Sequence, residues 1–223
     1  MGCGAGTSLR QEEPQDEPFL IALYASTREA ELARVPWTGA QKAEFLRSQF
    51  ALQRSQYRTH YHGADFCIIE ADGRPIGRLY VHRGAQEIRL MDIALLPAWR
   101  GCGIGGAYLQ ALLREAQAAN LPVTLHVEPG NPARRLYLRA GFRRAAELGF
   151  YERLVWVPPD PAGERDKAAE PAQQQHDGGR LRDRGAGRSG VDRQGGEIEA
   201  KQDEVGRSEH ANTLALQPEG EDR

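Results

Sequence analysis

Residues 100–106 read Arg100-Gly101-Cys102-Gly103-Ile104-Gly105-Gly106, between an apolar run that ends at Pro97 and an amphipathic one that starts at Ile104. Glycine-rich turns ahead of a helix leave the first backbone N–H groups unobstructed. Those donors lack intrahelical partners and sit at the positive end of the helix dipole, so the spacing predicts an anion site for a phosphate or diphosphate. Two nucleotide patterns overlap here. Gly101, Gly103 and Gly106 fit Gly-x-Gly-x-x-Gly, and Glu128 follows 22 residues after Gly106, where a ribose-binding acid would stand. That pattern alone suggests a Rossmann-type nucleotide-dependent oxidoreductase. However, Pro97-Ala98-Trp99-Arg100 separates the strand from the first glycine, and several elements precede the loop rather than follow it. The second pattern, Arg-x-x-Gly-x-Gly, is met by Arg100, Gly103 and Gly105.

Other groups with chemical potential lie near this loop in the chain. In Thr124–Glu128 the strand period of two places His126 and Glu128 on one face. Asp92 stands inside the apolar run Met91–Leu96, where an unpaired carboxylate would be costly, so function or a buried hydrogen bond must account for it. Tyr137 lies on a short amphipathic segment and reads there as a core aromatic. His60, His62 and Cys67 offer three metal-ligand types but no fourth at zinc-like spacing, so no metal site is expected. Trp37, Tyr57 and Tyr61 flank a helical stretch, as pocket walls or as core.

The elements that must position these groups follow from periodicity and breakers. Thr7–Arg10 reads as a short strand. Asp16 is placed as an N-cap, with Glu17 and Pro18 in the first turn of a helix that ends before Pro36. A second helix spans about Gln41 to Arg58, with Phe45, Leu46, Phe50 and Leu52 as its stripe. Strands follow at Asp65–Ala71, Ile76–His82 and Glu87–Leu96, the first two joined by the turn residues Asp72-Gly73. Ile104–Ala119 is a helix and Pro122–Glu128 a strand. Asn131-Pro132 opens a further helix that Gly141 closes, and Phe142–Leu148 and Phe150–Val157 form a closing hairpin about Gly149. The order predicts an α/β (α+β) fold: a central mixed, mostly antiparallel sheet of about six or seven strands with about four helices.

Two segments together resemble the GNAT superfamily of N-acetyltransferases. One is Met91–Gly106 with its Arg-x-x-Gly-x-Gly loop. The other is Asn131-Pro132-Ala133-Arg134-Arg135-Leu136-Tyr137-Leu138-Arg139-Ala140-Gly141-Phe142, close to that family's Asn-x-x-Ala/Ser-x-x-Leu-Tyr-x-x-x-Gly-Phe stretch with one position shifted. The resemblance runs from about Leu9 to Val157. It implies direct transfer of the acetyl group of acetyl-CoA to a primary amine, with acetyl-CoA as the cofactor. It places Arg100, Gly101, Cys102, Gly103, Ile104, Gly105 and Gly106 at the pyrophosphate, and Ile93, Ala94 and Leu95 along the pantetheine, where the family's bulged strand splays from its neighbour. Asn131 and Arg134 would contact the cofactor arm, and Tyr137 would be the general acid. Asp92, His126 and Glu128 all remain open as the base; His126 stands where some members carry a glutamate. Two alternatives stand beside this reading: an acyl-CoA-binding module without catalysis, and the oxidoreductase above.

Composition bounds the rest. The 223-residue chain carries a net charge of −2, and all sixteen aromatics precede residue 158. Residues 158–223 hold 15 acidic and 10 basic side chains and only six Leu, Ile or Val. So little apolar surface cannot offset chain entropy. We therefore expect a domain at 1–157 and a disordered, acidic low-complexity tail at 158–223. The remaining 19 basic and 16 acidic residues give the domain +3, too little for a sequence-independent nucleic-acid binder. No run reaches the roughly 18 apolar residues of a membrane span. The polar N-terminus does not read as a secretory signal, and position 6 is Gly where myristoylation wants Ser or Thr. Cys3, Cys67 and Cys102 are expected as free thiols in a reducing cytoplasm. The expected partner is a small-molecule or peptide amine, with no nucleic acid and no membrane, on a monomer or homodimer.

Overall fold

Seven strands form one sheet: β1 (Thr7–Gln11), β2 (Asp65–Ala71), β3 (Arg74–Arg83), β4 (Ile88–Leu95), β5 (Val123–Val127), β6 (Arg143–Leu148) and β7 (Tyr151–Trp156). The helices are α1 (Glu17–Leu32), α2 (Gly39–His60), α3 (Ile104–Ala119) and α4 (Arg134–Arg139). The structure is a computed structural model that describes residues 6–159. The tail expected from Pro158 therefore lies, beyond its first two residues, outside the described residues, as does Cys3. Strand order is β1-β2-β3-β4-β5-β7-β6. Only β4 and β5 run parallel; every other neighbouring pair is antiparallel. A Rossmann unit needs a run of parallel strands, so this topology excludes the oxidoreductase alternative.

The element boundaries show which local signals mattered. α2 starts earlier than the apolar stripe suggests, because Thr38 and Gln41 form a reciprocal capping box. Its buried face holds Gln49, Phe50 and Tyr57, while Leu52 is exposed. Asp16 does not cap α1 with its side chain. Its carboxylate instead takes both Arg10 Nη groups at 2.7 Å and accepts the Glu13 N–H at 2.8 Å. A bidentate guanidinium partner outcompetes a helix-end amide. α4 begins at Arg134 rather than at Asn131. Asn131 turns the chain first, its Oδ1 accepting the Ala133 N–H at 2.9 Å. Gly141 then ends the segment at φ +97°, a region open to glycine.

Alternating side chains give the sheet two apolar faces. Ile69, Leu79, Val81 and Leu90 pack under α3 and α4 with Leu109, Leu112, Leu113 and Ala116. The neighbouring Ile68 points the other way, into a cluster with Leu20, Tyr24 and Phe50 of α1 and α2. Beside it, Tyr57, Tyr61 and Tyr80 close the same face around Phe66 and Met91. Trp37 lies apart from this group, edge-on to Phe45 at 5.2 Å. Helices thus cover both sides, and the irregularity that bears on function lies in the middle of the sheet, between β3 and β4.

Candidate active site

That irregularity begins with one extra residue. Tyr80 pairs with Asp92 and Val81 with Leu90, so Met91 is a bulge in β4. On its other side β4 pairs with β5 only at Ile88–Val123 and Arg89–Thr124. Beyond Arg89 the two parallel strands part, which leaves a notch in the sheet. The Leu96 N–H donates to the Ile76 carbonyl at 2.9 Å. By antiparallel alternation, Ile93 and Leu95 then turn their backbone groups away from β3 and toward the notch, whereas those of Ala94 face β3. A bulge next to a strand gap is a common way to free backbone donors for a ligand.

The glycine loop lies at the end of this strand. Pro97–Trp99 form a single 3-10 turn, Gly101 and Gly103 adopt φ +76° and +81°, and Gly103 opens α3 with no side-chain cap. The first helical bond runs from the Ala107 N–H to the Gly103 carbonyl. The N–H groups of Ile104, Gly105 and Gly106 donate to no protein group among the described residues. The Arg100 side chain is committed elsewhere: Nε donates to the Leu95 carbonyl at 2.8 Å and Nη2 to Ser26 Oγ at 2.8 Å. It ties the loop to α1 rather than offering a free cation. Arg134 is likewise held, by Glu152 at 2.6 and 3.2 Å. Cys102 is disulfide-bonded, against the expectation of a free thiol, and Cys67 is the free cysteine among the described residues. Spacing along a chain does not reveal which sulfurs a fold brings together.

Four titratable side chains surround the notch differently. Tyr137 is 7 % exposed and packs edge-on against Phe142, with ring centroids 5.9 Å apart. Burial first, and the charge of Asp92 second, push its phenol well above the ordinary range, so it holds its proton. Asp92 is paired with Arg78 Nη2 at 2.5 Å, and the same nitrogen reaches Gln53 Oε1 at 3.0 Å. His126 is pushed down to about 3, mainly by burial and then by Arg89 and Arg153. It is therefore neutral, and its Nε2 is buried without a partner. Glu128 lies just past the end of β5, exposed, with its backbone carbonyl accepting the Asn131 N–H.

The His126 environment has a measurable consequence. In the unfolded chain a histidine binds its proton near 6.5; in the folded chain this one does so only at about 3. Across that window the unfolded state carries more protons, so stability is lost as the pH falls from about 6.5. Thermal midpoints should decline over this range, and less steeply in His126→Gln. Superimposable profiles would show that the imidazole is not desolvated.

The acetyltransferase (GNAT) family model matches residues 26–142, just over half of the chain, from the second half of α1 through the loop to Phe142. This chain belongs to the GNAT acetyltransferase family. A mycothiol acetyltransferase of Clavibacter michiganensis subsp. michiganensis (strain NCPPB 382) is 42% identical over 78 residues, 34% of this chain. The match spans only 24% of that relative's own length. Two solved structures share the fold at 16% identity. PaiA N-acetyltransferase from Thermoplasma acidophilum, in complex with coenzyme A, has a TM-score of 0.53 over 68% of this chain and 99% of its own. PH1933 from Pyrococcus horikoshii OT3 has a TM-score of 0.52 over 69% and 99%.

The GNAT loop here fits the diphosphate of acetyl-CoA. Three unpaired amides converge at the start of α3, and no atom lies within 4 Å of where a Cβ would stand at Gly101 or Gly103. Among the described residues, no group of three or more His, Cys, Asp or Glu could hold a metal, and no helix is long and apolar enough to cross a membrane. Sequence reading passed over Arg78 and Arg89. Both sit in strands among apolar neighbours, the same signal that singled out Asp92, and both are buried. The resemblance implies a bulged, splayed strand here, and the pairing with β3 puts its extra residue at Met91.

Proposed function

We propose that this GNAT domain, residues 1–157, transfers the acetyl group of acetyl-CoA directly to a primary amine. One observation carries the reading: the β4–β5 notch opens beside a glycine-lined helix N-terminus, so a diphosphate and an extended arm can be held side by side. When bound, acetyl-CoA supplies an activated acyl thioester. The amides of Ile104, Gly105 and Gly106 take the diphosphate, and the backbone of Ile93 and Leu95 takes the arm. An N–H of β4 at the notch polarises the thioester carbonyl, an interaction of about 3 kcal/mol in comparable oxyanion sites.

Proton movements assign the side chains. An ammonium acceptor must lose one proton before it attacks. Asp92 is engaged by Arg78, and His126 at about 3 is too weak a base. Glu128, exposed and without a side-chain partner among the described residues, takes this proton and passes it to water. As the N–C bond forms and the C–S bond breaks, Tyr137 gives its proton to the sulfur and is reprotonated by the second proton leaving nitrogen. The donor is a cytoplasmic metabolite, which supports a cytoplasmic site of action.

Free-thiol release from acetyl-CoA across an amine library tests the reading. Acceptor-dependent release is expected, and Glu128→Gln should lower kcat/KM about 10²-fold. Cofactor binding without release on any amine would leave the acyl-CoA-binding module as the function.

A further inference from the structure

Arg89 is a buried guanidinium without a counter-charge. It is 3 % exposed and occupies the last rung at which β4 still pairs with β5. One Nη1 proton goes to Thr124 Oγ1 at 3.2 Å, and no described carboxylate forms an ion pair with it. A guanidinium carries five N–H donors, and a buried cation left so sparsely bonded is costly unless something completes it.

Its surroundings share the deficit. Opposite Arg89 on β3 stands His82, its ring tilted against that of Tyr61 with centroids 5.6 Å apart. Along β5 on the same face comes His126, with its buried, unpartnered Nε2. Opposite His126 on β7 is Arg153, which reaches Glu87 Oε2 at 3.4 Å, while Glu87 Oε1 is buried without a partner. Glu87 thus answers Arg153, and no described carboxylate pairs with Arg89. The depressed pKa of His126, to which both arginines contribute, is consistent with a positive potential here. This patch borders the notch, which opens directly past the Arg89–Thr124 rung.

We infer that the acceptor is an amine that also carries a carboxylate, bound by Arg89 and Thr124 while its nitrogen lies at the notch. The inference rests on the acetyl-transfer reading above and names its substrate class. The anion must sit several bonds from the nitrogen, because Glu128, which takes the nitrogen's proton, lies four residues along the chain from Thr124.

The experiment compares ω-amino acids from glycine to 6-aminohexanoate with alkylamines of equal length, by free-thiol release with the full chain. The longer amino acids should exceed their matched alkylamines in kcat/KM by about 10²-fold, the worth of hydrogen bonds to a charged group. Arg89→Gln should bring that ratio toward one, chiefly through KM, and Arg89→Lys should restore part of it. Equal kcat/KM for the paired acceptors in the wild type would overturn this proposal while leaving acetyl transfer intact. Calorimetric titration of 6-aminohexanoate and hexylamine into the wild type with CoA present separates the cases where no amine reacts or Arg89→Gln fails to fold. Binding of the amino acid alone supports the carboxylate contact, and equal or no binding overturns it.

Discussion

Tyr137→Phe should turn over about 10²-fold more slowly than the wild type, with acetyl-CoA affinity unchanged. The substitution removes one oxygen and keeps the ring that packs against Phe142. The hydroxyl donates to no described protein group, so its loss leaves no partner unsatisfied and the fold should be as stable as before. What disappears is a proton held at the notch by burial and by the nearby Asp92 charge. Steady-state kcat, read beside a cofactor titration and a thermal melt, separates the roles. A kcat equal to wild type would mean that Tyr137 is only a core aromatic and that the sulfur takes its proton from water.

Asp92→Ala should cost about 3–5 kcal/mol of stability, because it strands the Arg78 charge in the interior. Arg78 is 2 % exposed, and its Nε already lacks a partner. Without Asp92, it keeps the Gln53 amide oxygen at 3.0 Å and the face of Tyr80 at 5.0 Å. The network does not end there: the Tyr80 hydroxyl donates to Glu12 Oε2 at 2.6 Å, and Arg54 and Arg58 hold Glu12 Oε1. Asp92 thus connects the notch to β1 and α2 as well as to its own strand. Since domains are stable by only about 5–15 kcal/mol, the loss should be plain in a denaturant titration. Replacing both partners by apolar residues, Arg78→Met with Asp92→Leu, should recover most of it. A cost below about 1 kcal/mol would contradict the buried pair. A fully stable Asp92→Asn without turnover would instead make Asp92 the base.

The loop shows how far a linear reading reaches. Gly101 and Gly103 take positive φ and lead into α3 because their type permits it, and local chemistry suffices to foresee that. The same holds for Ile104–Ala119, whose buried Leu109, Leu112, Leu113 and Ala116 repeat at helical spacing. Asp16 shows the limit. As an acidic residue ahead of a helix it is a natural cap, yet Arg10, brought alongside by β1, takes both its oxygens. Arg100 and Arg134 have the right charge for a polyanion, but Ser26 and Glu152 claim their side chains. In each case a partner brought close by the fold decided the outcome.

Residue types and spacing alone therefore determined the order of elements, the anion-binding loop, the family and the suspicion attached to Asp92. These depend on neighbours a few positions away, where backbone geometry fixes what can touch. Tertiary structure alone decided the strand order, the register that puts the bulge at Met91 and ends the β4–β5 pairing at Arg89, and the partner of every charged group at the notch. Such features arise from pairings across dozens of residues, and the energies of buried charges depend on which partner arrives. The loop could be read as an anion site from seven residues; what it faces had to wait for the sheet to close around it.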